Sequence, residues 1–380
     1  MRQVAGSTRA LRGAPAPSSL ASSVALLLVA FGSACVGPQK TDTGAAPGAT
    51  SSSASKAPVT GPPPPSKLPH HAATENPFVG AKWWEDPYAQ AHLRALRARN
   101  HGDIETAELM EAIAVNGGAD WIGEWTPYVD NWVRKRIALL EKNGKLPYFV
   151  VYNIPKRDCG QYSAGGASKA ETYKEWINAF ARGVGDQTAV VILEPDGLPL
   201  MKKCLSEADQ KERIELIKYA VHTFEALPRT WVYMDAGHSG WIDAPEMAAR
   251  LKAAGIDEAD GFSLNVSNYQ STDALMKYGK QISAKLGGKH FVIDTSRNGN
   301  GPPDADKDSE AAWCNPDGRA LGVPPTSETG EPLCDAFLWL KKPGESDGTC
   351  NGGPKAGEFW PESAIGLAKR AKWVKTSGKK

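Results

Sequence analysis

The sequence predicts an α/β fold in which parallel strands, each followed by a helix, curl into a barrel. Three observations predict it. Uninterrupted apolar runs alternate with amphipathic stretches, as in a sheet covered on both faces. Six or seven such units occupy about 305 residues, which suits a barrel better than an open sheet in two halves. Polar residues appear where each apolar run stops, as at the carboxyl end of a barrel, where active sites form.

Taken in order, Asp120–Trp125 (DWIGEW) reads as a strand, and Tyr128–Lys142 follows with apolar residues at helical spacing. Pro147–Ile154 (PYFVVYNI) is rich in β-branched and aromatic residues and reads as a buried strand. A Gly/Ser loop, 160–169, precedes a helix over Glu171–Arg182. Strand 188–194 (TAVVILE), helix 207–226, strand 230–235 (TWVYMD) and helix 244–254 continue the alternation. Strand 261–266, helix 273–286 and strand 290–294 (HFVID) follow. A loop of about 40 residues separates them from a last strand, 336–340 (AFLWL).

The N-terminus stands apart. Arg2, Arg9 and Arg12 precede an apolar run, Val24–Phe31, and the small residues Gly32, Ser33 and Ala34 lead to Cys35. This is the pattern of an export signal over 1–35, too short for a membrane span. Two endings stay open: a lipoprotein box that anchors the chain to a membrane through a lipid on Cys35, or a plain secretory cleavage nearby. In residues 36–75, Pro, Ala, Ser, Thr and Gly make up 29 of 40, and aromatics are absent. Such a stretch reads as a disordered tether, with His70 and His71 as a solvated pair within it. The folded domain is expected over 76–380, outside the cytoplasm.

Composition narrows the chemistry. Lys and Arg number 44 against 43 Asp and Glu, so net charge gives no argument for a nucleic-acid partner. No G-x-G-x-x-G or P-loop opens a helix, and no H-E-x-x-H or C-x-x-C spacing occurs, so neither a cofactor nor a metal is expected. No protein partner is implied. Five cysteines remain past Cys35 in an exported chain, where disulfides are the default and one thiol is left over. What remains at the strand ends is carboxylate: Asp158, Glu194, Asp196, Asp235 and Asp294, with Arg157, His238, Asn265, Asn268 and Arg297 beside them. One such acid is an ordinary helix N-cap. Five consecutive units point to an acidic cleft. Of the 12 tryptophans, Trp84, Trp125, Trp241 and Trp313 lie in or beside loops, while Trp132, Trp176 and Trp231 sit on periodic elements and read as core. Paired carboxylates with loop tryptophans are what a glycoside hydrolase needs: proton donors and acceptors, and flat apolar faces for sugar rings.

Seven stretches in order resemble glycoside hydrolase family 6, the cellulases: NPFVGAKWW (76–84), VVYNIPKRDCGQYSAGG (150–166), VVILEPDGLPLM (190–201), DAGHSGWI (235–242), NVSNY (265–269), IDTSRNGNGP (293–302) and the run 313–350. The resemblance implies a distorted, partly open, TIM-like barrel of about seven strands. It also implies hydrolysis of β-1,4-glucosidic bonds with inversion, acting on β-glucan polysaccharide or cello-oligosaccharides. Asp196 matches the general acid. Asp158 matches the carboxylate that raises the acid's pKa or steers the water. Tyr152 matches the residue that distorts the sugar. Asp347 matches the usual candidate base, a water relay towards Asp158 being its rival. Trp84, Trp241 and Trp313 match glucose-stacking positions, with His238, Asn265, Lys341 and Glu345 as polar neighbours. The family's disulfides imply Cys159–Cys204 and Cys314–Cys350, with Cys334 as the alternative partner of Cys314. Short loops after Asp158 and Asp347 favour internal cleavage. A cellobiohydrolase is the alternative, and a non-catalytic glucan-binding protein is a third reading.

Overall fold

The computed structural model describes residues 60–72, 75–304 and 309–377. The export segment, Cys35 and residues 36–59 lie outside it. Seven strands form one parallel sheet in sequence order: β1 (Asp120–Ile122), β2 (Tyr148–Val151), β3 (Ala189–Leu193), β4 (Thr230–Asp235), β5 (Gly261–Leu264), β6 (His290–Asp294) and β7 (Cys334–Leu338). The sheet curls into a half-barrel. β1 and β7 share no ladder; the edges meet through the Ala119 N–H on the Trp339 carbonyl at 3.2 Å and the Trp121 indole on the Leu340 carbonyl at 2.8 Å. The barrel is therefore open along one seam, as the resemblance implied.

Strand alternation sorts the side chains. Tyr148, Val150, Val190, Ile192, Tyr233, Val292 and Leu338 fill the interior. Phe149, Val151, Val191, Leu193, Val232, Phe262 and Ile293 face outward and are covered by helices. Those helices are α3 (Val129–Lys142), α4 (Ala170–Val184), α6 (Glu207–Glu225), α7 (Ala244–Ala253) and α8 (Thr272–Lys285). A short α5 (Met201–Cys204) precedes α6. Three of these helices start on a side-chain cap: Ser206 accepts from Asp209 N–H, Asp243 from Glu246 N–H and Ser271 from Ala274 N–H. Between β2, α4 and α6, Phe180 sits edge-on to Phe149 (5.6 Å) and Phe224 (5.4 Å).

Several expectations change. Two helices, α1 (Gln90–Asn100) and α2 (Ile104–Ala114), lie where no element was read. α1 buries only Ala91 and Ala95 and leaves Leu93 and Leu96 in solvent, so it has no apolar stripe to read. α2 packs on α10 (Pro361–Arg370) around Leu109, Met110, Leu367 and the fully buried Trp339. β7 begins two residues early, at Cys334, because Trp339 and Leu340 leave the ladder to close the seam. α9 (Glu310–Trp313) interrupts the long loop.

Residues 60–72 also depart from the expected tether. His71 stacks on Trp231 (4.4 Å), its backbone N–H bonds the Pro228 carbonyl at 2.9 Å, and its side chain is 4 % exposed. His70 contacts the Glu225 carbonyl. Of the pair read as solvated, His71 is instead docked beneath the barrel against Trp231, while His70 stays exposed.

Phe180→Ala removes a fully buried ring from this three-way aromatic contact and should cost about 3–5 kcal/mol of unfolding free energy. Denaturant unfolding checks it; a loss below about 1 kcal/mol would show that the helical layer collapses onto the gap.

Candidate active site

The loops after the strands enclose a cleft of about 840 Å³ at the carboxyl end of the sheet. Its shape begins with buried carboxylates that bind backbone. Glu194, next after β3, is 1 % exposed and accepts the N–H groups of Asn153 and Ile154, both at 3.0 Å, which pins the chain leaving β2. Burial pushes its carboxyl up to about 7 against those bonds. Asp235 ends β4 and accepts the Asp196 N–H at 3.0 Å and the Gly237 N–H at 3.2 Å. Asp294 ends β6 and accepts from Ser267 (3.0 Å), Ser296 (2.9 Å) and Lys341 (3.1 Å), gathering the loops after β5, β6 and β7.

The loop after β2 carries Asp158. Asp158 and Cys159 are left-handed, at φ 54° and 51°, conformations that cost energy and persist only when tied down. Three ties hold them. Cys159 is bonded to Cys204 of α5. The Ser163 N–H donates to Asp158 Oδ2 at 2.8 Å. The buried Arg157 guanidinium donates to the carbonyls of Tyr152 and Ser163 and pairs with Glu124 at 2.6 Å. Gly166 (φ 91°) closes the loop where a Cβ would meet the Ile154 carbonyl at 2.0 Å, so only glycine fits.

Asp196 stands at the cleft floor, itself left-handed at φ 67°. Burial first, then the neighbouring charges of Asp235 and Asp158, raise its pKa well above the carboxylate range. Tyr152 reaches it with Oη 3.5 Å from Oδ2, and the Tyr152 ring stands edge-on to Trp121 at 5.2 Å. Burial also raises Asp158, partly offset by the Ser163 N–H and Arg157. Asp347 goes the other way. Burial would raise it, but Arg297 and Lys341 and the hydrogen bonds from Arg297 and Tyr269 outweigh that and hold it below the usual range. Arg297 lies 2.9 Å from it, Tyr269 Oη donates to Oδ2 at 2.8 Å, and the Asn315 N–H donates at 3.0 Å. Cys314–Cys350 binds the two segments that carry this cluster. Among the described residues Cys334, at the start of β7, is the free cysteine and is buried, so the alternative pairing does not form.

Tyr152, Asp158, Asp196, His238, Trp241, Trp313, Lys341, Glu345 and Asp347 all line this one cleft. His238 packs at 5.3 Å from Trp241, and burial lowers its pKa to about 4, so it is neutral. Two expected residues sit elsewhere. The Asn265 side chain is spent on backbone: Nδ2 donates to the Asp294 carbonyl at 2.8 Å and Oδ1 accepts the Gln270 N–H at 3.0 Å. Trp84 is not among the lining residues; its ring lies under the Arg136 guanidinium at 5.9 Å. Conversely, Trp121 lines the cleft without having been read for it, Trp125 lines it as one of the loop tryptophans, and Trp132, read as core, packs against the core and also lines the cleft. The alternation in DWIGEW, which turns Trp121 inward, was a usable signal. Asp235 was legible only as one strand-end acid among several; its bond to the Asp196 backbone is a tertiary fact.

The sequence profile described as Glycosyl hydrolases family 6 matches residues 78–371. The chain is 43% identical to Endoglucanase A of Cellulomonas fimi over 297 residues, covering 77% of this chain and 62% of that protein. It is 41% identical to Endoglucanase 1 of Streptomyces halstedii, covering 78% of this chain and 91% of that protein. Thus the chain spans less than two thirds of the first relative's length. Among solved structures, the endoglucanase Cel6 of Mycobacterium tuberculosis, in complex with methyl-cellobiosyl-4-deoxy-4-thio-β-D-cellobioside, superposes with a TM-score of 0.73 at 43% identity. That match covers 78% of this chain and 99% of that one. With the half-barrel and the carboxylate cleft, these matches establish that the chain belongs to glycosyl hydrolases family 6.

Proposed function

We propose that this chain is an endo-acting glucanase that hydrolyses internal β-1,4-glucosidic bonds with inversion. The observation that carries the reading is the divergence of two buried acids in one cleft: Asp196 is held protonated and Asp347 ionised. Carboxyl groups pushed apart in this way divide into a proton donor and a negative charge. Asp196 gives its proton to the leaving glycosidic oxygen. Trp241 and Trp313 hold the flanking glucose rings, and Tyr152 crowds the ring between them. Positive charge then grows on the anomeric carbon, and water attacks from the opposite face.

Asp347 carries donors from Arg297, Tyr269 and Asn315, so it binds a further proton poorly. Its charge serves better to stabilise the developing oxocarbenium ion. Asp158 has a raised pKa and takes fewer hydrogen bonds, so it is the better final acceptor of the water's proton. Internal cleavage is supported by the endoglucanase relatives and by short surroundings: only residues 348–360 separate Asp347 from α10, too few to roof the cleft. The two disulfides support an extracellular location. A lipid on Cys35 remains an expectation that mass spectrometry of the mature N-terminus decides.

Asp196→Asn should abolish turnover of carboxymethyl-cellulose while keeping cello-oligosaccharide binding. It should also raise thermal stability at neutral pH. A carboxyl whose pKa is raised in the fold opposes folding once the unfolded chain ionises, and the gain should vanish below the ordinary aspartate pKa. Wild-type turnover in this variant would remove Asp196 from the acid role. Asp235→Asn takes away one charge that raises Asp196, so the alkaline limb of the kcat/KM profile should move to lower pH; an unmoved limb would exclude that coupling. In Asp158→Asn the acidic limb should disappear and kcat should fall by roughly 10²–10⁴-fold. A limb that survives there but is lost in Asp347→Asn would return the base to Asp347. Carboxymethyl-cellulose viscosity should collapse before many reducing ends appear; a slow fall with cellobiose as sole early product would sink the endo mode.

A further inference from the structure

Beneath the barrel, at the end away from the cleft, three metal-ligating side chains converge from three separate segments. They are His71 of the docked N-terminal stretch, Glu225 at the end of α6, and Asp260 just before β5. One ligand atom from each lies within 4.8 Å of the others. We propose that His71, Glu225 and Asp260 form a site for a divalent transition metal of the zinc class, which clasps residues 60–72 to the floor of the barrel.

Four observations support it. First, the His71 ring is oriented as a ligand. It stacks on Trp231, its Nδ1 faces the Ala72 carbonyl at 3.4 Å, and its Nε2 lies 3.0 Å from the Thr230 carbonyl and 3.7 Å from Asp260 Oδ1. An Nδ1–H on a backbone carbonyl leaves the Nε2 lone pair for a metal. Second, that spacing is close to the roughly 3.4 Å separating two ligands of one tetrahedral ion at about 2.1 Å, so only the third ligand has to close in. Third, Glu225 Oε1 is buried and takes no hydrogen bond. A buried carboxylate oxygen without a donor is costly, and a cation removes that cost. Fourth, neither Lys289 nor His222 makes a direct ion pair with Glu225 or Asp260, so Lys289 acts on them only through space. Lys289 gives its ammonium to the carbonyls of Asp257 (3.0 Å) and Ala259, and His222 is paired with Glu258 at 2.9 Å. The site opens into a cavity of about 560 Å³, which gives an entry path and room for a water ligand.

Without metal, His71 Nε2–H donates to the Thr230 carbonyl at 3.0 Å; the metal takes the other tautomer, with Nδ1–H on the Ala72 carbonyl. The ligand set is one imidazole and two carboxylates, which suits zinc better than calcium.

The full chain, stripped with EDTA, is titrated with zinc chloride by calorimetry at neutral pH. The expected result is one equivalent bound, with a rise in melting temperature and no displacement by excess calcium. His71→Ala and Glu225→Gln should each weaken binding on the order of a hundredfold, while His222→Ala should leave it unchanged. Near-ultraviolet circular dichroism confirms that each variant is folded. Unchanged affinity in His71→Ala and Glu225→Gln, loss of binding in His222→Ala, or no zinc uptake by wild type would each overturn the site.

Discussion

The architecture of the cleft depends on buried carboxylates at the strand ends that accept backbone N–H groups from the neighbouring loop. Glu194 after β3 holds the chain leaving β2, Asp235 of β4 holds the turn carrying Asp196, and Asp294 of β6 holds the segments after β5 and β7. Each is an acceptor placed where a parallel sheet runs out of ladder partners. Such a bond replaces the missing ladder and sets the position of the next functional side chain. Burying these carboxylates is costly, and the cost appears as the raised pKa of Glu194 and Asp235. The same chemistry that builds the scaffold thus sets the electrostatics of the acid. Asp235 positions the Asp196 backbone, and its charge adds to burial in pushing the Asp196 pKa up.

Around Asp347 the solution is reversed. Arg297 is stacked on Tyr269 at 4.5 Å, and both donate to the same carboxylate. An ion pair of this kind stabilises only if the remaining lone pairs are satisfied, and the Asn315 N–H supplies a further donor. The two disulfides brace the left-handed Asp158 turn and the segments carrying Asn315 and Asp347, where the polar groups are densest and an apolar core cannot hold the chain. Strain and rigidity are thereby concentrated in the loops, while the helical layer of Phe149, Phe180 and Phe224 below supplies ordinary hydrophobic stability.

Much of this was readable in the chain. Apolar runs located β2 to β7, since a strand buried on both faces has no polar side to show; β1, only partly buried, was read from DWIGEW. Asp158, Asp196 and Asp347 were found through short polar motifs at strand ends and the family they resemble. Trp84 and Asn265 show the limit of that route. A motif match places a residue near the site but does not say which way its side chain turns, and Asn265 turns to backbone. α1 was missed because its face is covered by alanines. His71 was misread because composition describes a segment's average, while docking depends on one ring meeting Trp231.

The sequence by itself determined the α/β class, the order of strands and helices, the acidic character of the strand ends and the family. Those follow from periodicity and from local motifs, which act over a few residues. Only the tertiary structure decided which neighbours push the carboxyl pKa values apart, which further tryptophans face the cleft, and that Cys334 stays unpaired beside two formed bridges. Those properties depend on what stands within a few ångströms in space. The partners come from positions far apart in sequence, such as Asp196 with Asp235 or Asp347 with Arg297.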